Sequence, residues 1–218
     1  MTQARALIVA AVSAGALYLV GAVALGSPPS VSDSPATVAE WFAEHHGAAR
    51  TYAWTATFGA LALAVFAGIV RGLLPSPHGS VFLLGAAAFI VENAVQAWLW
   101  AGLALHPLDP STARTAYDIA LFWGPVLTGS TMTMIGAVTV LGFGARPSIP
   151  TWLMVLGAIA FAEQAIETIT VFGTGGFIAP GGDMNLILGA ALTLVWLAGL
   201  VVWAAGRLGQ ARPPQPAG

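Results

Sequence analysis

Six apolar runs partition the sequence: Ala6 to Leu25, Tyr52 to Val70, Ser80 to Leu105, Tyr117 to Leu141, Thr151 to Phe172 and Leu186 to Ala205. Each is about 20 residues or longer, the length a helix needs to cross a hydrocarbon core about 30 Å thick. In that solvent every backbone N–H and C=O must find a partner within the protein, which a helix provides along its own length. The gaps between runs concentrate helix breakers, as in "GSPPS", "LLPSPHGS", "HPLDPS", "GARPSIP" and "GTGGFIAPGGD". The pattern predicts an all-α, polytopic transmembrane bundle of six spans, one domain over residues 1–210, followed by a disordered tail over 211–218. Composition supports this, since 57% of residues are hydrophobic and 7% charged, against about a quarter charged in ordinary soluble domains.

The small residues of "AVALG" at the end of the first run would suit a signal-peptide cleavage site. The run is longer than a signal core of roughly 7–15 residues, so retention as a span is expected. Arginine placement predicts orientation: Arg5, Arg71, Arg146, Arg207 and Arg212 fall on one side, Arg50 and Arg114 on the other. The richer side is expected to be cytoplasmic, with both termini inside. Asp33, Glu40, Glu44, Asp109, Asp118 and Asp183 then fall outside or at the outer boundary. Trp54, Trp98, Trp100, Trp123, Trp152 and Trp203 lie near span ends, where interfacial belts form.

Several functions are argued against. The formal net charge is −2 and all seven basic residues are arginine, leaving no basic patch for a phosphate backbone, so no nucleic-acid partner is expected. With no cysteine, thiolate metal sites and thiol nucleophiles are excluded. No histidine or lysine lies within a span to activate Ser130 or Thr131, so catalysis is not expected. "GTGGFIAPGG" lacks the Lys-Ser/Thr ending and preceding strand of a phosphate cradle; it reads as a flexible outer turn, and no cofactor or metal is expected. Trp196, Met132 and Met134 read as packing residues.

The outer segment 34–50 is more than a connector. Ser34 before Pro35 marks a helix start, Thr37 and Glu40 have capping-box spacing, and Val38, Trp41 and Phe42 share a face. A short amphipathic helix lying on the membrane or capping the bundle is expected. His45, His46 and Glu44, with His106 and Asp109, would be the members of any metal or pH-sensing cluster. Neighbouring helical side chains diverge by about 100°, so a solvated surface is the expected reading.

The charged residues inside the runs carry the remaining signal. "ENAVQA", Glu92 to Ala97, and "EQAIET", Glu163 to Thr168, match in order: acid, amide, Ala, branched aliphatic, acid or amide, small. With "LLGAAAF" and "VLGAIAF" upstream, they suggest a duplicated two-helix unit in parallel orientation. At about 1.5 Å per residue, Glu92 and Glu163 reach similar depth near the midplane, with Gln96 and Glu167 one turn further out. Gly124-Pro125 should kink the fourth span, and Thr128, Ser130, Thr131 and Thr133 follow near mid-depth. The expected polar layer comprises Glu92, Asn93, Gln96, Thr128, Ser130, Thr131, Glu163, Gln164 and Glu167.

Magnitudes require this layer to be buried. An acid at the centre of a lone helix costs roughly 2.5–3.5 kcal/mol, while each Leu, Ile, Phe or Val returns roughly 0.3–0.6. The fifth span holds nine such apolar residues, so two glutamates and a glutamine cancel most of their gain. Two arrangements satisfy the acids. Protonated, they hydrogen-bond across helices and glue the bundle; lining a water-filled path, they bind a proton, a cation or an amine-bearing solute.

"ATVAEWFAEHHGAAR", the "ARTAYD" run entering the fourth span, "IPTWLMVLG" opening the fifth and the Trp-bearing last span together resemble uncharacterised actinobacterial multi-pass integral membrane proteins, grouped as domains of unknown function. The resemblance implies a bacterial inner-membrane protein of about six helices, embedded in the lipid bilayer, with no assigned activity. A structural or regulatory membrane protein is therefore expected first, and a small-solute or proton/cation-coupled transporter second.

Overall fold

A computed structural model describes residues 2–144 and 148–210. Arg146, Arg212 and the tail 211–218 lie outside the described residues. The fold is all-α, with no strand among the described residues. Among the described residues, six helical segments have the length and apolarity to cross a membrane, as a multi-pass membrane protein requires.

The first span is α1 (Gln3–Leu25), followed by a short α2 (Pro35–Glu44) and the second span α3 (His46–Leu73). The third is α4 (His78–Leu103), and the fourth is divided into α5 (Pro110–Leu121) and α6 (Trp123–Thr139). The fifth joins α7 (Thr151–Glu167) to a 3₁₀ turn over Thr168–Phe172. The last begins with a π-helical turn, Met184–Gly189, and continues as α8 (Ala190–Gln210). Consecutive spans pack antiparallel, and α8 returns against α1, so the six form a closed ring in chain order. Outward residues such as Val23, Leu84, Trp98 and Val202 are exposed and apolar, as a lipid-facing surface requires.

Two apolar clusters fill the ring. One, at the end carrying Arg5, Arg71 and Arg207, draws on every span and includes Leu7, Phe66, Phe82, Ile135, Leu153 and Trp196. The other, at the opposite end, belongs to α1 to α5 alone and includes Phe42, Tyr52, Trp100 and Tyr117. On the fifth and sixth spans the polar side chains of Glu163, Gln164, Glu167, Thr170 and Asn185 are buried instead.

Helix α2 caps this second cluster. Ser34 Oγ accepts from Thr37 N at 3.1 Å, and Val38 and Phe42 are buried. The cap is thus the Ser34 and Thr37 pair rather than Thr37 and Glu40. The expected segment 34–50 is also shorter, because α3 starts at His46 and takes the later residues into the second span. Arg114 in α5 anchors the preceding loop by donating to Asp33 O at 2.8 Å and Val31 O at 2.5 Å, while pairing with Asp118 at 2.6 Å. Tyr117 Oη donates to Pro29 O at 2.6 Å.

Other expectations need correction. The fourth span breaks at Phe122, just before Gly124-Pro125, and Thr128 Oγ1 donates to Pro125 O at 2.6 Å. Trp100 and Trp203 are not interfacial anchors, being buried within the two clusters, whereas Trp54, Trp98 and Trp152 do face outward. The glycine-rich loop folds back tightly: a Cβ on Gly173 or Gly182 would strike backbone carbonyls, and Ala179 is buried.

Candidate functional site: a carboxyl cluster between the last three spans

Helix α6 stands between α4 and α7, packing against both. Ser130 and Thr131 are neighbours on it, so their side chains point to different flanks. Ser130 Oγ donates to Glu92 Oε2 at 2.6 Å, and Thr131 Oγ1 donates to Gln164 Oε1. Glu92 and Glu163 are therefore linked to one level of α6 but do not meet each other. Glu92 is only half-buried.

On the α7 side the acids converge. Gln164 Nε2 donates to Glu163 Oε2 at 3.0 Å and to Glu167 Oε2 at 2.6 Å. The stripe Glu163, Gln164 and Glu167 occupies one helical face because residues three and four apart superpose. Glu163 is 8% exposed and Glu167 4%.

The last span closes the cluster. Asn185, in the π-helical turn, donates through Nδ2 to Glu167 Oε1 at 2.5 Å and to Thr170 Oγ1 at 3.3 Å. Its own Oδ1 accepts from Gly181 N at 3.2 Å. Two glycines make the approach possible. A Cβ on Gly189 would overlap Glu167 Oε2, and one on Gly124 would lie 3.1 Å from Asn185 Cγ. Glu163 Oε1 alone in this cluster is buried without a partner.

The remaining predicted residues lie elsewhere. Gln96 Oε1 accepts from Tyr52 Oη at 2.5 Å, tying the third span to the second. Asn93 Nδ2 returns to Phe89 O of its own helix at 2.8 Å, and Thr128 likewise bonds within its own helix. Gln96 and Glu167 occupy matching positions in the two similar sequence segments, yet one bonds toward α3 and the other toward the last span.

Asn185, Thr170 and Gly189 escaped the sequence reading. The available signal was a lone amide heading an apolar run in "MNLILG"; nothing in the sequence announces a π turn. At the other proposed cluster, His45 stacks on Trp41 with ring centroids 4.5 Å apart, and His46 Nδ1 lies 3.1 Å from Ala43 O. No group of three or more potential metal ligands converges among the described residues.

Two half-open clefts of about 360 Å³ lie at the opposite end, near Gly72, Leu73, Trp203 and Arg207, and near Gln3 and Leu208. Neither is lined by a residue of the carboxyl cluster. Comparison with protein-family models, with curated proteins and with solved structures finds no match.

Proposed function

We propose that this is a structural or regulatory protein of the bacterial inner membrane, with both termini cytoplasmic, whose carboxyl cluster fastens the last three spans together. The observation that carries this reading is the closure of Glu167. Both of its oxygens accept from amide groups, one on its own helix and one on the final span. Gly189 packs directly on this carboxyl, where even a methyl group would overlap Glu167 Oε2. Interhelical hydrogen bonds in a membrane hold segments that gain little from apolar contact, because lipid tails are as apolar as leucine.

A proton- or cation-coupled carrier is the second reading, favoured by the unpartnered Glu163 Oε1 and the half-buried Glu92. Purified protein in proteoliposomes separates the two. The fastening role predicts that Glu167→Gln lowers thermal stability in detergent, with no pH-dependent flux in either protein. A wild-type flux abolished by Glu92→Gln or Glu163→Gln in folded protein would replace it with the carrier.

A further inference from the structure

The hydrogen bonds of the carboxyl cluster run in one direction. Thr131 donates to Gln164, and Gly181 donates to Asn185. Gln164 and Asn185 in turn direct their N–H groups at the two glutamates. An amide nitrogen only donates, so the acceptor oxygens of Glu167 are both engaged. Glu163 engages one oxygen and leaves Oε1 buried and bare. Because Glu163 Oε2 and Glu167 Oε2 both accept from the same Gln164 nitrogen, at 3.0 and 2.6 Å, the two carboxyl groups are adjacent.

Three protonation states are conceivable, and the geometry satisfies one. With no proton, two negative charges face each other in a layer to which no described Arg or His contributes, and Glu163 Oε1 stays unpaired. With two protons, a hydroxyl on Glu167 has to compete with N–H groups already aimed at both of its oxygens. With one, Glu163 Oε1–H donates to a Glu167 oxygen, and every polar atom of the pair is satisfied.

We propose that Glu163 and Glu167 form a binding site for a single proton, carried on Glu163 Oε1 and shared with the Glu167 carboxylate, with Asn185 of the last span as the clasp. The site goes beyond the fastening role, since it exists whether or not the protein moves a solute. A metal cation does not fit as the occupant, because Gln164 Nε2 sits between the carboxyls and Gly189 fills the space beside Glu167. The ionisable groups around the pair are few. α6 offers only Thr131 at this level, α4 places Glu92 behind Ser130, the π turn presents Asn185 with exposed Asp183 at its start, and Arg207 lies at the far end of α8.

The assignment makes the two acids unequal. Glutamine at 163 keeps a donor where the hydroxyl stood, whereas glutamine at 167 turns an NH₂ toward an amide that already donates. Thermal unfolding in bilayer discs should leave Glu163→Gln close to wild type and lower Glu167→Gln clearly. Equal losses, or failure of Glu163→Gln to fold, overturns the proposal. The wild-type protein supplies a second measurement. It has five glutamates, so carbon-13 labelling resolves each side-chain carboxyl by solid-state NMR, with exposed Glu40 and Glu44 as ionised references. One protonated and one ionised signal from Glu163 and Glu167 is expected. Two ionised signals, two protonated signals, or shifts on exchanging sodium for an organic cation contradict a one-proton site.

Discussion

Away from the Arg5, Arg71 and Arg207 end of the bundle, two regions are joined by different means. Beneath α2, Phe42, Trp100, Tyr52 and Tyr117 pack with ring centroids 5.6 to 5.9 Å apart. Across the ring, beneath the glycine-rich loop, the last three spans meet through Gln164, Glu167 and Asn185. The aromatic region is a mesh centred on Trp100, which packs against Phe42, Tyr52 and Tyr117, while Phe42 also meets Tyr117. The carboxyl region hangs on Glu167, where the shortest hydrogen bonds of Gln164 and Asn185 both end, so that losing one carboxyl weakens both amides at once. The first four spans therefore form the stiffer region, and the junction between the fifth and sixth is the part that chemistry can open.

The largest effect should come from the aromatic side. Trp100→Ala, which empties a buried site, is expected to cost about 3 kcal/mol, the lower end for large aromatic truncations. Unfolding in bicelles measures it, and a cost below that of the carboxyl-side variants would reverse the ranking of the two regions.

On the other side, Gly189→Ala pushes a methyl group into Glu167 Oε2. Overpacking of this kind costs about 1–3 kcal/mol. Hydrogen exchange should show it as faster opening of Met184–Gly189 with α3 and α4 unaffected; uniform loosening would mean that the two regions are one cooperative unit.

The smallest effect concerns the connection into α5. Asp109, fully exposed, caps that helix, and hydrogen bonds from the Thr112 and Ser111 side chains, with the backbone N–H of Ser111, hold its carboxyl at about 2 against an ordinary 3.8. A lowered value in the folded state means that the cap contributes fully above about pH 4 and is lost as pH falls through about 2. Amide exchange at Ser111 and Thr112 should rise over that window, and Asp109→Asn should remove the pH dependence while leaving the carboxyl cluster intact.

The spans were legible because hydrocarbon imposes a minimum apolar length, and Pro and Gly mark where each run ends. The α2 cap was legible for a similar reason: Ser34-Pro35 is a local start signal, and Val38 and Phe42 sit one turn apart. What could not be read was tertiary. The match of "ENAVQA" with "EQAIET" points to equivalent partners, yet Gln96 bonds to Tyr52 and Glu167 to Asn185, because each helix has different neighbours in the ring. Trp100 near a span end has the sequence context of an interfacial anchor, and only the arrival of α2 and α5 makes it interior. The π turn that presents Asn185 has no local sequence rule at all.

A double-mutant cycle between Glu167 and Asn185, using Glu167→Ala, Asn185→Ala and the combination, tests most directly whether a hydrogen bond fastens the last span to the fifth. Reversible unfolding in bicelles should give a coupling of about 0.6–1.7 kcal/mol, the range of interhelical hydrogen bonds in membranes. Strict additivity of the two substitutions would contradict the account.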